Sequence, residues 1–451
     1  MPIIVNKIFD EIAVGDTASA QRELLAADVR AWEAAFGDAD TMTGESQAGA
    51  GIVTGLMTAL IGSSLPGPGS CIRTFTLQIM SILPIGGVIT VSLVVREKHT
   101  DKGIVVLDGR CSDPSGRVVA TAVLDVLAPT KRQQHIVAEH RLEGLLERCR
   151  SLERMPTGIV HPCSAEALKG TIESAEAGLI LPIMFGPETE IRRIADQERL
   201  DISKYRIVAT DGPEDSATKA AASAGAGEIA ALMKGSLHTD VLLHAIMQKD
   251  AKLLAGRLIS HCAMISATTY GRRFVISDVA LNIAPSTDQK RDICQNAIGF
   301  ARALGIDLPK VAVLAAVEMV STKMAATLDG AILAKMADRR QIVGGIVDGP
   351  LDLDAAVDSD AARIKRISSP VAGVADVLIV PNIEAGNMVY KNLAFMADAQ
   401  TAGLVVGARV PVILTSRADT AAARRFSAAA AVLYADAIAH DPTILSPETA
   451  E

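Results

Sequence analysis

Between Lys335 and Leu393, polar side chains of three kinds recur where apolar runs stop: Asp348 and Glu384 are acids, Asn387 is an amide and Lys391 is a cation. Such a set can accept and donate hydrogen bonds and balance charge at one place. Asp348 opens Asp348-Gly349-Pro350 after the run Ile342 to Val347. Glu384 and Asn387 belong to the turn-rich stretch from Pro381 to Asn387, which follows Val377 to Val380. Short apolar runs closed by turn residues, with helical stretches such as Asp354 to Ile367 between them, read as buried parallel strands joined by helices. Ligands in such sheets gather where strands end at their carboxyl edge, so this reading puts Asp348, Glu384, Asn387 and Lys391 at one rim. Each has a plain alternative taken singly: a turn for Asp348-Gly349-Pro350, a helix cap for Asn387.

The elements that must position such groups begin near Thr157. Gly158 to Cys163 is a strand end carrying His161, Ala165 to Ala177 a helix, Leu179 to Phe185 and Ile207 to Ala209 further strands, and Lys310 to Glu318 a strand running into a polar turn. His161, as a lone imidazole at a strand end, is a minor candidate for substrate contact. Lys234 and Gly235 stand just before the helix that follows His238-Thr239-Asp240, where backbone N–H groups and a cation can meet an anion. A surface lysine is the plain alternative. Gly225-Ala226-Gly227 and Gly49-Ala50-Gly51 lack the spacing of a dinucleotide fingerprint, and no GxxxxGK[ST] loop occurs.

DGPLDLDAAV, PVAGVADVLIVPNIEAGNMVYKNL and VPVILTSRAD resemble the phosphate acetyl/butyryltransferase family, its butyryl branch above all, over residues 150–451. The resemblance implies acyl transfer between coenzyme A and inorganic phosphate. It implies that Lys234 and Gly235 contact coenzyme A or acyl phosphate. It also implies that one of Arg272 and Arg273 pairs with Asp278 while the other, Arg273 by preference, meets the coenzyme's phosphates. Asp278, Asp348, Glu384, Asn387 and Lys391 complete the substrate-binding set. Ser416 and Arg417, at a strand end and a helix start, supply a hydroxyl, a fork of N–H donors and the positive end of a dipole to phosphate and oxyanion. In the acetyl branch an aspartate seven residues after this serine is thought to take the thiol proton. Here that position is Ala423, and the nearest acid is Asp419, for which a helix cap is the structural alternative. Phe395 stands where acetyl enzymes have an arginine, and is expected to line an acyl pocket for chains longer than acetyl.

Residues 1–134 follow another rhythm. Leu25 to Phe36 and Gly51 to Ile61 have helical character, and four strands are expected over Ile72 to Leu83, Val88 to Lys98, Gly103 to Cys111 and Val118 to Leu127. A central helix followed by an antiparallel meander fits an α+β hot-dog fold, in which the exposed face of the sheet calls for dimerisation. SLPGPGSCIRTFTLQIMSILPIGGVITVSLVVREK, with Gly37-Asp38 before the helix, resembles the MaoC-like R-specific enoyl-CoA hydratases, whose Asp-x-Asn-Pro-x-His segment holds the water. Asp38 matches that aspartate, but Thr43 stands at the histidine. A hydroxyl is no base near neutral pH, so this half is expected to be hydratase-dead.

The expected organisation is thus a hot-dog domain over 1–134, a linker helix over 135–150, and an α/β transferase domain over 151–451. Within the transferase, subdomain I comprises 151–255 and 406–451, and subdomain II comprises 256–405. A net charge of −8 and 3% aromatics argue against nucleic acid as a partner. Anionic substrates therefore need a local basic pocket. The six cysteines make no CxxC pair and no zinc spacing, and read as reduced thiols of a cytoplasmic protein. The start, MPIIVNKIFDEIAVGD, carries acids where a signal peptide is basic then apolar. The uncharged stretches 46–72 and 74–95 are broken by Gly and Pro, so no membrane span is expected. The expected ligands are coenzyme A, acyl-CoA and phosphate as substrates, with no tightly bound cofactor or metal, in a homo-oligomer. Alternatives to the acyltransferase reading are a bifunctional enzyme that also hydrates enoyl-CoA, and a non-catalytic acyl-CoA sensor.

Overall fold

Alternating burial along one stretch and continuous burial along the other mark two kinds of sheet. In Val88–His99, Ile89, Val91, Leu93 and Val95 are buried at every second position, whereas all of Ser260–Ser266 is buried. The computed structural model describes residues 3–24, 45–81, 86–136, 142–267, 271–414 and 419–445. The expected helix over 25–36, together with Asp38, Thr43, Ser416 and Arg417, lies outside the described residues. The chain divides into two units, Met1–Ala138 and Glu139–Glu451.

The first unit contains β1 (Ile3–Val5), β2 (Thr17–Glu23), α1 (Glu45–Ser63), β3 (Cys71–Ile79), β4 (Val88–His99), β5 (Ile104–Ser112), β6 (Val118–Leu127) and β7 (Gln134–Ile136). Strands two to six form a five-stranded antiparallel sheet in the order β2-β4-β5-β6-β3. Val53, Met57, Leu60 and Ile61 of α1 join the inward residues of β4, β5 and β6 in one core. Residues 134–136 are not helical as their charge pattern suggests; β1 offers an antiparallel partner, and a long-range ladder overrides local propensity.

The second unit opens with α2 (Glu143–Cys149), β8 (Met155–Val160), α3 (Ala165–Glu176), β9 (Ile180–Gly186), α4 (Glu188–Glu198), β10 (Arg206–Ala209), α5 (Pro213–Gly225), β11 (Ala231–Lys234) and α6 (Thr239–Met247). Then follow β12 (Ser260–Ser266), β13 (Arg273–Ser277), α7 (Thr287–Ala303), β14 (Lys310–Leu314), α8 (Ala325–Asp338), β15 (Ile346–Leu351), α9 (Leu353–Val357), α10 (Ser359–Ile364), β16 (Val377–Ile379), α11 (Ile383–Met396), β17 (Gln400–Val406), β18 (Val412–Ile413) and α12 (Ala421–His440). The strands join into one eleven-stranded sheet, ordered β10-β9-β8-β11-β18-β17-β12-β13-β16-β14-β15.

The first five strands of that order run parallel, β17 is antiparallel to β18, β12 to β17, and β13 to β12. The last four are again parallel to one another, now in the opposite sense. The carboxyl ends of β8, β11 and β18 therefore lie at one edge of the sheet, shared with the amino end of β13. The carboxyl ends of β13, β16, β14 and β15 lie at the other.

One strand reading and one helix reading change. The run from Ile342 does not end at Val347; β15 starts at Ile346 and continues through Asp348-Gly349-Pro350 to Leu351, so those residues are strand and not the turn after it. Its pairing with β14 as far as Leu314–Leu351, across a register shift, carries the ladder past the proline. The expected helix 354–367 is split into α9 and α10, because the Asp358 carboxylate accepts from Ala361 N at 2.8 Å and starts a second helix.

Candidate active site

At the first edge, β8 and β11 finish against each other so closely that only glycine fits at position 235. A Cβ there would lie 2.4 Å from the His161 carbonyl oxygen and 2.5 Å from that of Val160. Gly235 N donates to Val160 O and Ser236 N to His161 O, while Ser236 Oγ donates to His161 O at 2.8 Å and accepts from Cys163 N at 3.0 Å. Lys234, the last residue of β11, is half-buried, with Nζ 3.3 Å from Leu237 O and 3.4 Å from Gly235 O. The cation and the glycine thus sit on a rigid double strand end, ahead of α6.

His161 takes a left-handed backbone, φ 56°, and its Nδ1 lies 3.3 Å from Ser216 Oγ, itself 2.7 Å from Thr210 Oγ1. Burial lowers the imidazole's pKa against an opposing pull from Glu214, so the ring is neutral near pH 7. A neighbouring cleft of about 310 Å³ is lined by Glu214, Thr218, Asp240, Val241, His244 and Ala245. Its two carboxylates repel an anion, so it is no phosphate pocket.

Asp419 precedes the N-cap of α12, and the cap is Thr420, whose hydroxyl accepts from Ala423 N at 3.1 Å. The helix-cap alternative for Asp419 is therefore set aside. Tyr390 of α11, a half-buried phenol 3.5 Å from Thr401 Oγ1, has its pKa raised by burial and further by the Asp419 charge. Arg273 opens β13 opposite Ser266, which puts it at this same edge. Lys234, Gly235, Arg273 and Asp419 are thus gathered on one side of the sheet. Tyr390 was not anticipated; its only sequence signal was its place beside Lys391.

The other candidates divide. Asp278 follows the carboxyl end of β13 and is buried, with Oδ1 accepting from Ala280 N and Leu281 N and Oδ2 from Asn282 N and Asn282 Nδ2. Among the described residues no arginine forms an ion pair with it: Arg272 bonds Asp376 at 2.6 Å, since the residues beginning and closing a five-residue strand stand roughly 15 Å apart. Asn382, not Asn387, caps α11, accepting from Ala385 N at 2.9 Å. Asn387 Nδ2 donates to Val279 O at 3.0 Å, and a Cβ at Gly386 would stand 2.5 Å from Asp278 O, so α11 starts tightly against the Asp278 loop. Glu384 is exposed in the first turn of α11. Asp348 Oδ1 accepts from Gly349 N. Lys391 is two turns into α11, with Nζ 5.9 Å from the Phe395 ring centroid. Phe395 is 62% exposed, so within this chain it lines no acyl pocket.

Among the described residues no group of three His, Cys, Asp or Glu side chains is placed to hold a metal ion, and no helix is long and apolar enough to cross a membrane.

The phosphate acetyl/butaryl transferase family matches residues 209–432. The chain is 46% identical over 295 residues to a phosphate acetyltransferase of Rhizobium meliloti, covering 65% of this chain and 93% of that one. It is 37% identical to a phosphate butyryltransferase of Clostridium beijerinckii, covering 65% of this chain and 97% of the relative. A crystal structure of a branched-chain phosphotransacylase from Enterococcus faecalis V583 superposes with a TM-score of 0.56 at 29% identity, over 62% of this chain and 99% of that one. The chain belongs to the phosphate acetyl/butyryl transferase family, and its second unit has the phosphotransacetylase fold.

A half-buried imidazole, His161, and a buried one, His261, set a pH dependence. His261 on β12 is fully enclosed, with Nδ1 unpartnered among the described residues, and burial lowers its pKa more strongly than the Asp278 charge raises it. Above the unfolded value of about 6.5 neither state is protonated at His161 or His261; below it the unfolded chain binds protons that the folded chain refuses. The melting temperature is expected to fall as pH is lowered from about 7 toward 5.5, and the pair His161→Gln, His261→Gln to flatten that slope. A slope identical in the double variant contradicts this.

Proposed function

We propose that the second unit transfers a short acyl group, acetyl or butyryl, between coenzyme A and inorganic phosphate. The observation that carries this is the 46% identity to a phosphate acetyltransferase across 93% of its length. In the reaction a phosphate oxygen bonds to the thioester carbonyl carbon and the C–S bond breaks, giving acyl phosphate and coenzyme A, with the phosphate proton passing to the thiolate. In reverse the thiol gives up its proton and the thiolate attacks the acyl phosphate. Ser416 and Arg417 grip phosphate and the developing oxyanion, and Asp419 relays the proton. Lys234 and Arg273 offset charge on coenzyme A or phosphate. Asp278, caged by backbone N–H groups, shapes the cleft and does not bind substrate. The protein works as a cytoplasmic homo-oligomer without a tightly bound cofactor.

Arg417→Gln removes both the charge and the N–H fork, and Arg417→Lys keeps only the charge. Charge-assisted bonds contribute about 1.5 to 3 kcal/mol each, so Gln is expected to lower phosphate-dependent thiol release roughly tenfold to a hundredfold, with Lys between. A lower melting temperature with an unchanged KM for phosphate would take Arg417 out of the mechanism.

For the first unit we propose a hot-dog domain without hydratase activity. The support is its five-stranded antiparallel sheet with α1 packed into the same core, together with Thr43 in place of an imidazole. The full chain is expected to leave the enoyl absorbance of crotonyl-CoA constant. Loss of that absorbance, abolished by Asp38→Ala, favours the bifunctional reading instead.

A further inference from the structure

Cations are out of place at a helix start, where the positive end of the dipole repels them, yet α12 has Arg424 and Arg425 in its opening turns and no acid in its first turn. Arg424 does not point to solvent. Its side chain folds back past the helix start and Nη1 donates to the Asp419 carbonyl oxygen at 2.7 Å. That carbonyl lies outside the helix ladder, which begins one residue later: Arg424 N bonds Thr420 O and Ala423 N bonds Thr420 Oγ1.

The path of the side chain is built into a second helix. Arg424 crosses α3 at Gly170, where a Cβ would stand 2.9 Å from Arg424 Cδ and 3.0 Å from Nε. Nε is itself buried with no partner among the described residues. A guanidinium held against the dipole, with one donor unsatisfied, costs stability rather than adding it. What it secures is the position of one backbone carbonyl, on the residue assigned to proton relay.

We propose that Arg424, seated over Gly170, is a positioning residue that fixes Asp419 for proton transfer between phosphate and thiol. The proposal rests on the reading of Asp419 given above. Arg424 touches no substrate; it acts through the Asp419 backbone, so its loss lowers kcat and leaves KM for acyl-CoA in place.

The test is a double-mutant cycle in the full chain, read as kcat and KM for phosphate-dependent thiol release together with melting temperature. Arg424→Met is expected to lower kcat about 10- to 100-fold, the range for a misplaced catalytic group, with KM for acyl-CoA unchanged. Arg424→Lys recovers part of that loss. Gly170→Ala, which leaves Arg424 in place but obstructs its path, is expected to give the same kcat signature independently of the Met variant's stability. In an Asp419→Asn background Arg424→Met is expected to add nothing, because residues acting through one another are not additive. Full kcat in Asp419→Asn overturns the Asp419 reading. A lowered kcat in Asp419→Asn together with full kcat in Arg424→Met, or with losses that multiply, overturns the positioning role alone.

Discussion

Two antiparallel strands in the middle of an otherwise parallel sheet decide which parts of this transferase can work together. Parallel strands present their loops at one edge, but three successive antiparallel pairings, β18 with β17, β17 with β12 and β12 with β13, reverse the direction an odd number of times, so β13 and the strands beyond it end at the opposite edge from β8, β11 and β18. The amino end of β13 is thereby brought to the edge where β11 ends, placing Arg273 with Lys234 and the start of α12. The carboxyl end of the same strand carries Asp278 away from them. Helix α11 connects the edges: it begins on the Asp278 loop through Gly386 and Asn387, and reaches Thr401 and the Asp419 charge through Tyr390.

That reversal explains which parts of the site were legible in the sequence. Apolar runs closed by polar residues gave β8, β9, β14 and β16, because burial on both faces of a parallel strand leaves a continuous apolar run. The sense of each strand leaves no such local trace. Reading Arg272, Arg273 and Asp278 as near neighbours suggested an ion pair, whereas the strand between them sets the arginines and the acid at opposite edges and Asp376 takes Arg272. Asp348-Gly349-Pro350 looked like a stop because glycine and proline mark turns, yet a partner strand at β14 holds it extended. Caps were misassigned by one position at Thr420 and by five at Asn382. In both places several cap-competent residues stand close together, and only backbone direction selects one. The Arg424 contact was visible only as a misplaced charge at the start of an alanine-rich helix.

Electrostatically the chain is a net anion that handles anions, with −8 overall and substrates that are all negatively charged. Local placement resolves the conflict: Lys234 at a β-strand end and Arg273 at a strand start face one edge, while the acidic cleft of Glu214 and Asp240 lies between α5 and α6. Close backbone contact at Gly235 keeps the first of these rigid. Rigidity at this edge suits the direct transfer proposed above, in which phosphate and thioester are held together with no covalent relay on the protein.

Direct transfer within one ternary complex is the central claim, and isotope exchange tests it most directly. Labelled inorganic phosphate is mixed with unlabelled acyl phosphate and the protein, with and without coenzyme A, and incorporation of label into acyl phosphate is followed. Exchange that depends on coenzyme A is the predicted result, because the acyl group leaves phosphate only by moving to sulfur. Exchange at full rate without coenzyme A would mean that the acyl group rests on the protein, and would contradict a site built to hold both substrates at once.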